Sequence, residues 1–183
     1  MRTLFISAGH SNTPGRDRGA QGNGYHEGDL TVEFRDLLMC ELDRLGVTAL
    51  KDGNNTVTAE TVNFIRKKLL KPNSILVDIH FNAATATATG TEVIIPESFS
   101  AFERDLSDEL SICMADVLQI RNRGRKTEAQ TARKRLAWMR TTGENILLEI
   151  CFISNEKDIN SYQRNKDVLA KEISKVLYKY CNK

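Results

Sequence analysis

Two of the three histidines in this 183-residue chain lie where short apolar runs end. His10 follows the run of residues 4–9, and His80 lies near the end of the run of residues 75–82. In a third run, Glu149 interrupts otherwise apolar residues. Runs of this length predict strands buried on both faces, and open α/β sheets bind ligands at the carboxyl ends of their strands. Two imidazoles and a carboxylate placed there are the groups that a metal-dependent hydrolase uses.

A third metal ligand is expected from the glycine-rich loop of residues 9–28, which returns the chain to the first strand end. Glu27 lies at the end of this loop and His26 precedes it, and either side chain can bind zinc. Two histidines, a glutamate and an open fourth position are typical of catalytic zinc sites. The residue types alone leave Glu27 and His26 both open. A single histidine at a strand end is more commonly an ordinary hydrogen-bonded residue, so the combination of groups carries the metal hypothesis.

The rest of the chain alternates predicted strands with predicted helices. The first predicted helix has Leu30 to Leu45 on its apolar face and is ended by Gly46, and a weak strand at 47–50 follows it. Next come a helix that is capped by Thr58 and runs to Leu70, and two strands that end near His80 and at Ile95. A helix from the Ser100–Glu103 capping box to about Ile120, a strand at 146–153 and a C-terminal helix complete the pattern. This alternation predicts one α/β domain over residues 1–183. Its central sheet is expected to be mostly parallel or mixed, with helices on both faces.

Composition and charge narrow the classes of function. The chain is 40% hydrophobic and 27% charged with a net charge of +2, as is ordinary for a globular protein. It has no apolar stretch long enough to span a bilayer, so membrane insertion is not expected. The N-terminus lacks the features of a signal peptide, which predicts synthesis in the cytoplasm without a Sec-type export signal. Four cysteines without a C-x-x-C pair predict reduced thiols rather than a zinc ribbon.

Two further features resemble binding motifs but do not match them. The loop glycines fit neither the dinucleotide fingerprint nor the P-loop. The basic segment of residues 121–135 has no accompanying aromatic platform, so we expect a solvated loop and no nucleic-acid partner. A weaker possibility is that this segment steers the protein towards a negatively charged cell envelope.

Three blocks of the sequence resemble the zinc-dependent N-acetylmuramoyl-L-alanine amidases of the amidase-3 type, and they occur in the family's order. The blocks are S-A-G-H at residues 7–10 with G-N-G-Y-H-E-G-D-L at 22–30, D-I-H-F-N-A at 78–83 followed by G-T-E-V at 90–93, and L-E-I-C-F-I-S-N at 148–155. They are similar to the family's D-x-G-H-G…G-x-x-E-x-D-L, S-I-H-x-N-A and V-E-x-G-F-x-S-N. R-G-R-K at 123–126 and L-A-W-M-R at 136–140 resemble its R-G-x-K and L-x-x-L-R.

The resemblance implies a role for each matched residue. His10, Glu27 and His80 become the ligands of one Zn²⁺ ion, which decides for Glu27 over His26, and Glu149 becomes the catalytic carboxylate. Asn82 is expected either to bind substrate or to orient the site, although an ordinary turn residue is an equal alternative. The implied reaction is hydrolysis of the amide between the lactyl group of N-acetylmuramic acid and L-alanine of the peptidoglycan stem peptide.

The organisation and the rival functions follow from the same resemblance. A compact, monomeric, endolysin-like enzyme without an attached wall-binding module is expected, acting on the cell wall after release or by a separate export route. The alternatives are a zinc peptidase of similar fold that cuts within the stem peptide, and a non-catalytic peptidoglycan-binding protein.

The chain departs from the family pattern at two positions beside these residues. Cys151 replaces the glycine after the catalytic glutamate, and because residues two apart in a regular strand share a face, it could point towards the metal beside Glu149. A small residue that only fills a gap is the alternative. Asp78 replaces the usual serine and could support a ligand histidine through a hydrogen bond. The family's T-R-x-x-D stretch corresponds here to Leu50-Lys51-Asp52, to which no role is carried over.

Overall fold

A six-stranded mixed sheet forms the centre of the protein in a computed structural model that describes residues 1–67 and 71–183. The elements are β1 (Leu4–Ala8), β2 (Gln21–Gly22), β3 (Tyr25–His26), α1 (Glu27–Arg44), β4 (Ala49–Lys51), α2 (Thr58–Lys67), β5 (Ile75–Asn82), β6 (Thr91–Ile95), α3 (Ala101–Leu118), β7 (Asn122–Thr127), β8 (Glu144–Phe152) and α4 (Glu156–Cys181). Short 3₁₀ turns occupy Glu128–Gln130 and Trp138–Arg140. β2 and β3 pair only with each other, as a small antiparallel hairpin.

The strand order in the sheet is β4-β1-β5-β8-β6-β7. β1 runs parallel to both β4 and β5, and β5 runs parallel to β8. β6 is antiparallel to β8, and β7 is parallel to β6. The predicted single α/β domain with a mixed sheet is therefore confirmed. The carboxyl ends of β1, β5 and β8 lie side by side because these three neighbours share one direction.

Helices cover both faces of the sheet, as predicted, but unequally. Alternate residues of each strand face opposite sides. Val77 and Ile79 of β5 belong to the larger core, under α1, α3 and α4, whereas Leu76 belongs to a smaller one, under α2 and the Trp138 turn. Burial of each of these side chains stabilises the fold by about 1.5–3 kcal/mol. The central strands are buried on both faces, which explains why their sequences are almost uniformly apolar.

Most predicted helix ends are confirmed. Gly46 follows α1 with a φ of +74°, a conformation that costs glycine little. The Ser100–Glu103 capping box begins α3, since Ser100 Oγ accepts from the Glu103 amide and Glu103 accepts from the Ser100 amide. The predicted cap at Thr58 is wrong, because Thr58 is already the first residue of α2, and its hydroxyl donates to the carbonyl of Gly9 at 2.6 Å. The predicted end of this helix at Leu70 lies outside the described residues.

Two predictions for the edges of the sheet need correction. The basic segment is not a solvated loop throughout, because residues 122–127 form the edge strand β7 beside β6. Its charged side chains suit an edge, since charge on an edge strand discourages pairing with other chains. The strand expected at 47–50 is Ala49–Lys51, and Val47 packs instead in the larger core. Among the described residues, no helix has the length and apolar character needed to cross a membrane.

A buried ion pair joins α1 to the loop after β4. Arg35 has no exposed surface and donates to Asp52 Oδ1 at 2.8 Å and to the Asp52 carbonyl at 3.2 Å. The Asp52 carboxylate also accepts from Ser7 Oγ at 2.9 Å and from the Ala8 amide at 3.2 Å, just before the chain reaches His10. Burial raises the pKa of Asp52 even though Arg35 opposes that shift. The ion pair therefore helps to fix the end of β1, where the site begins.

We predict that Arg35→Met lowers the free energy of unfolding by about 3 kcal/mol at pH 7, because it leaves the Asp52 charge buried without its cation. Without Arg35, which opposes the effect of burial, the pKa of Asp52 should rise further, so protonation of Asp52 as the pH falls towards 5 should restore part of the stability lost at pH 7. Urea denaturation at both pH values measures this. Glu172→Ala, which removes the exposed Lys175–Glu172 pair, is the control and should change stability by less than about 0.5 kcal/mol. A loss for Arg35→Met that does not depend on pH would contradict the prediction.

Candidate metal and catalytic site

The carboxyl ends of β1, β5 and β8 bring the sequence-predicted residues together. His10 lies two residues beyond β1, His80 lies two residues before the end of β5, and Glu27 is the first residue of α1. One potential ligand atom from each of these three side chains lies within 4.8 Å of the other two. His26 lies in β3 and is not part of this group. The geometry therefore places Glu27, and not His26, beside the two histidines.

Glu27 is the centre of this group. Its carboxylate is almost fully buried and accepts from the Phe81 amide at 3.0 Å and from the Ala20 amide at 2.8 Å. Oε1 lies 2.9 Å from His80 Nδ1, and Oε2 lies 3.5 Å from His10 Nε2. Burial opposes ionisation, but the two histidines and the Ala20 amide hold the pKa of Glu27 below its usual value. The side chain is thus ionised and fixed, as a metal ligand must be.

His80 is held between two carboxylates. Its Nδ1 faces Glu27, and its Nε2 lies 3.1 Å from Asp78 Oδ2. Burial alone would lower the pKa of His80, but Asp78 and Glu27 raise it well above its usual value. A carboxylate that accepts from the second ring nitrogen of a metal-binding histidine fixes the orientation of the ring. Asp78, which the sequence marked as a departure from the family, occupies this supporting position.

The donor set fits a divalent metal ion. Two imidazoles and one carboxylate are the ligands of many catalytic zinc sites. His10 Nδ1 is buried and accepts or donates no hydrogen bond among the described residues, although Asp17 Oδ1 lies 3.4 Å away. The other ring nitrogen of His10, Nε2, lies on the side of Glu27. The site can therefore hold one metal ion through His10, Glu27 and His80.

Close approach of the backbone explains two glycines of the site. A Cβ atom at Gly9 would lie 2.2 Å from the His80 ring, so no larger residue fits between β1 and that histidine. Gly19 has a φ of +68°, and a Cβ there would lie 2.5 Å from Glu27 Oε2 and 2.6 Å from His10. The glycine-rich loop is therefore shaped by the close packing of the three candidate ligands rather than by a nucleotide phosphate.

Glu149 lies directly across from His80 in the β5–β8 register. Its Oε2 is buried and forms no hydrogen bond within residues 1–67 and 71–183. Burial raises the pKa of Glu149 to about 8, and the neighbouring carboxylates act in the same direction while His80 opposes them. A cation held by the three candidate ligands would lower this pKa, because a positive charge favours the carboxylate. Glu149 is thus a carboxyl group that can exchange a proton near neutral pH.

These groups line one open cleft with a volume of about 1120 Å³. The cleft has an apolar wall and a polar end. The apolar wall comprises Ile94, Leu136, Trp138, Leu147 and Phe152, and the polar end comprises Asp78, His80, Asn82, Glu92 and Glu149.

Glu92 is a member of the site to which the sequence analysis assigned no role. It is almost fully buried on β6, opposite Glu149 in the antiparallel register. Its carboxylate accepts from Arg123 and Lys126, each at 2.6 Å, and from Asn82 Nδ2 at 3.0 Å. Burial opposes ionisation, but Arg123 and Lys126 hold the pKa of Glu92 below its usual value. The signal for Glu92 was a carboxylate within an apolar strand, the same signal that identified Glu149.

Asn82 lines the cleft, but its side chain is already engaged in the protein. Nδ2 donates to Glu92, and Oδ1 accepts from the Ala83 amide at 2.9 Å. These contacts agree with an orienting role for Asn82. One amide hydrogen of the side chain is left for substrate, since a carboxamide carries two.

The regular alternation of β8 suggested that Cys151 could point towards the candidate metal site. The structure shows that its side chain lies on the other face of the sheet. The register shifts between His80 and Asn82, so that Ile150 and Cys151 together stand opposite Phe81. This β-bulge reverses the alternation and places Cys151, fully buried, in the larger core on the other face of the sheet. Burial raises the pKa of its thiol well above the usual value. Cys151 is therefore a small core residue.

The fold and the site define a single-domain α/β protein with a mixed sheet and a candidate His-Glu-His metal centre. Over residues 4–179 the chain matches the Amidase_3 family of N-acetylmuramoyl-L-alanine amidases, and it belongs to that family. The family resemblance found in the sequence is thereby confirmed. The family acts on peptidoglycan, and membership supports N-acetylmuramoyl-L-alanine amidase activity for this chain.

Solved structures of amidases share this fold. The N-acetylmuramoyl-L-alanine amidase of Clostridium difficile 630 superposes with a TM-score of 0.82 at 19% identity, over 99% of this chain and 97% of that one. The putative N-acetylmuramoyl-L-alanine amidase of Neisseria meningitidis is 26% identical with a TM-score of 0.76, over 96% of this chain and 93% of that one. The uncharacterised protein YqiI of Bacillus subtilis (strain 168) is 27% identical over 160 residues, which are 86% of this chain and 73% of that protein.

We predict that Asp78→Ala weakens zinc binding by about 10- to 100-fold, because the His80 ring loses the carboxylate that orients it. Titration against a chromophoric chelator measures the affinity without requiring activity. Cys151→Ala is the matched control, since Cys151 lies on the opposite face of the sheet, and it should bind zinc as tightly as the wild type. Unchanged affinity in Asp78→Ala would show that His80 does not depend on this contact.

Proposed function

We propose that this chain is a zinc-dependent N-acetylmuramoyl-L-alanine amidase, which hydrolyses the amide between the lactyl group of N-acetylmuramic acid and L-alanine of the stem peptide. The observation that carries the proposal is the convergence of His10, Glu27 and His80 within 4.8 Å, beside Glu149, in a member of this family. The open cleft around these residues supports a polymeric substrate such as peptidoglycan.

His10, Glu27 and His80 would hold one zinc ion. When bound, zinc lowers the pKa of a coordinated water to about 7 and polarises a carbonyl oxygen. The protein prepares this position with two hydrogen bonds from the Phe81 and Ala20 amides to Glu27, and with the contact between Asp78 and His80. These contacts keep the ligand atoms oriented, so little reorganisation is needed on binding.

Glu149 supplies the proton transfer. Its carboxylate accepts a proton from the attacking water and passes that proton to the nitrogen of the L-alanine as the amide bond breaks, so a free amine leaves. A group of this kind contributes about 10²- to 10⁴-fold to the rate. Glu149 Oε2 suits the role because it lines the cleft and has no hydrogen-bond partner among the described residues.

Asn82 and Glu92 complete the polar end of the cleft. We assign Asn82 an orienting role, with its second amide hydrogen left for a substrate carbonyl. Glu92 neutralises Arg123 and Lys126 and holds Asn82, so it acts through its neighbours rather than on the substrate. Trp138 and Phe152 add apolar surface to the lining of the cleft.

For the organisation of this protein, we propose a compact, monomeric, endolysin-like enzyme. One catalytic domain over residues 1–183 would form it. The catalytic domain of the CD27L endolysin supports this, since it superposes with a TM-score of 0.78 at 18% identity over 98% of each chain. One structural neighbour has a partner, since the CwlD amidase of Clostridioides difficile has been solved in complex with the GerS lipoprotein. Synthesis in the cytoplasm, followed by action on the cell wall, completes the proposal.

Digestion of purified sacculi distinguishes the proposed amidase from a zinc peptidase that cuts within the stem peptide. The amidase releases intact stem peptides with a free L-alanine amine, which mass spectrometry identifies. A peptidase releases truncated peptides and leaves L-alanine attached to the glycan. If only truncated peptides are released, the lactyl–alanine bond is not the one that is cleaved, and the proposal is overturned. If no peptide is released, the result favours a non-catalytic binding protein.

We predict that Glu149→Gln lowers the rate of peptide release at least about 100-fold while the protein still binds one zinc ion, because the carboxylate moves protons but is not a ligand. His80→Ala should lose both zinc and activity. Metal content by mass spectrometry and peptide release are measured on the same samples. A Glu149→Gln variant with wild-type activity would remove Glu149 from the mechanism.

A further inference from the structure

Two arginines on the rim of the cleft have no acidic partner. Arg133 and Arg135 line the same cleft as Glu149, and both are exposed. Within the described parts of the chain, no carboxylate lies within 4 Å of either guanidinium. Two unpaired guanidiniums on the rim give this end of the cleft a local positive potential.

The other arginine and lysine side chains that line the cleft are neutralised. Arg123 and Lys126 share the carboxylate of Glu92, and Arg125 pairs with Asp108 at 2.9 Å. Arg140, from the turn that follows, pairs with Glu128. The positive charge that remains available to a ligand in the cleft is therefore concentrated on Arg133 and Arg135.

The segment that carries these two arginines is anchored at its base. Glu128 is almost fully buried and accepts from the Leu136 amide at 2.8 Å as well as from Arg140. Thr131 donates to the Glu128 carbonyl at 2.7 Å, and the Lys134 amide donates to Thr131. The two arginines thus project from a loop whose backbone is held in place, which reduces the entropic cost of binding a ligand.

We infer that Arg133 and Arg135 form a carboxylate-binding subsite, which selects stem peptides with a free α-carboxylate on the second residue. The inference rests on the proposed amidase function. The second residue of the stem peptide is a glutamate joined through its side chain, so its α-carboxyl group is the carboxyl group nearest to the scissile bond, and it is either free or amidated. Guanidinium groups match carboxylates with paired hydrogen bonds, and they do not gain charge attraction from a carboxamide.

Two synthetic muramoyl tripeptides test the subsite. They differ only at the second residue, which carries an α-carboxylate in one and an α-carboxamide in the other, and both have an amidated C-terminus. The zinc-loaded wild type should cleave both at the lactyl–alanine bond, with a KM about tenfold lower for the carboxylate peptide. This preference should shrink as salt is raised from 50 to 500 mM, because exposed charges are screened.

The variant R133Q/R135Q should lose this preference, with the KM for the carboxylate peptide rising about tenfold to the value for the carboxamide peptide. The loss is expected in KM rather than in kcat, because the arginines are exposed and neither is paired with Glu149 or with a candidate metal ligand. Lys134→Gln is the matched control, since Lys134 is exposed in the same loop but does not line the cleft, and it should keep the preference. Zinc content and circular dichroism establish that the variants are folded.

The outcomes separate the subsite from the proposed function. If R133Q/R135Q keeps the wild-type preference, or if Lys134→Gln loses it equally, the subsite is overturned while the amidase remains. Equal KM values of the wild type for the two peptides would also overturn the subsite. If the wild type cleaves neither peptide at the lactyl–alanine bond, the proposed function fails and the subsite fails with it.

Discussion

The parallel pairing of β1, β5 and β8 is the constraint on which the site depends. Because these three neighbouring strands run in one direction, their carboxyl ends lie at one edge of the sheet, and the chain delivers His10, His80 and Glu149 there. The register also places Glu149 directly across from His80. A slip of one residue would turn either side chain to the opposite face, so the register of these strands also positions the chemistry.

Glu27 shows how the surrounding fold prepares a ligand. The glycine-rich loop and the β2–β3 hairpin return the chain to the strand ends, so that α1 begins with a buried carboxylate between two histidines. Backbone amides from β5 and from the loop then stabilise its charge. A buried carboxylate without such donors would be protonated and could not bind a cation. The glycines are required because the backbone must pass within van der Waals contact of the ligands.

Prediction from the sequence succeeded where one local signal was enough. The apolar runs, the Ser100–Glu103 capping box and the glycine that ends α1 each act within a few residues, and all three agree with the structure. It failed where the outcome depends on a distant partner. The strand β7 forms because β6 offers an edge, and the bulge that turns Cys151 into the core arises from the pairing of β8 with β5. No pattern within those segments records either pairing.

The sequence by itself determined the alternation of strands and helices, the burial of the central strands and the types of chemical groups at the strand ends. It also determined the family, because the motifs around His10, His80 and Glu149 occur in the family's order. Only the tertiary structure decided which groups meet. It placed Asp78 against His80, and it left Arg133 and Arg135 unpaired among the described residues while Arg123 and Lys126, which line the same cleft, are neutralised by Glu92. The physical reason is that side-chain contacts depend on strand register and loop path, which join residues far apart in the chain.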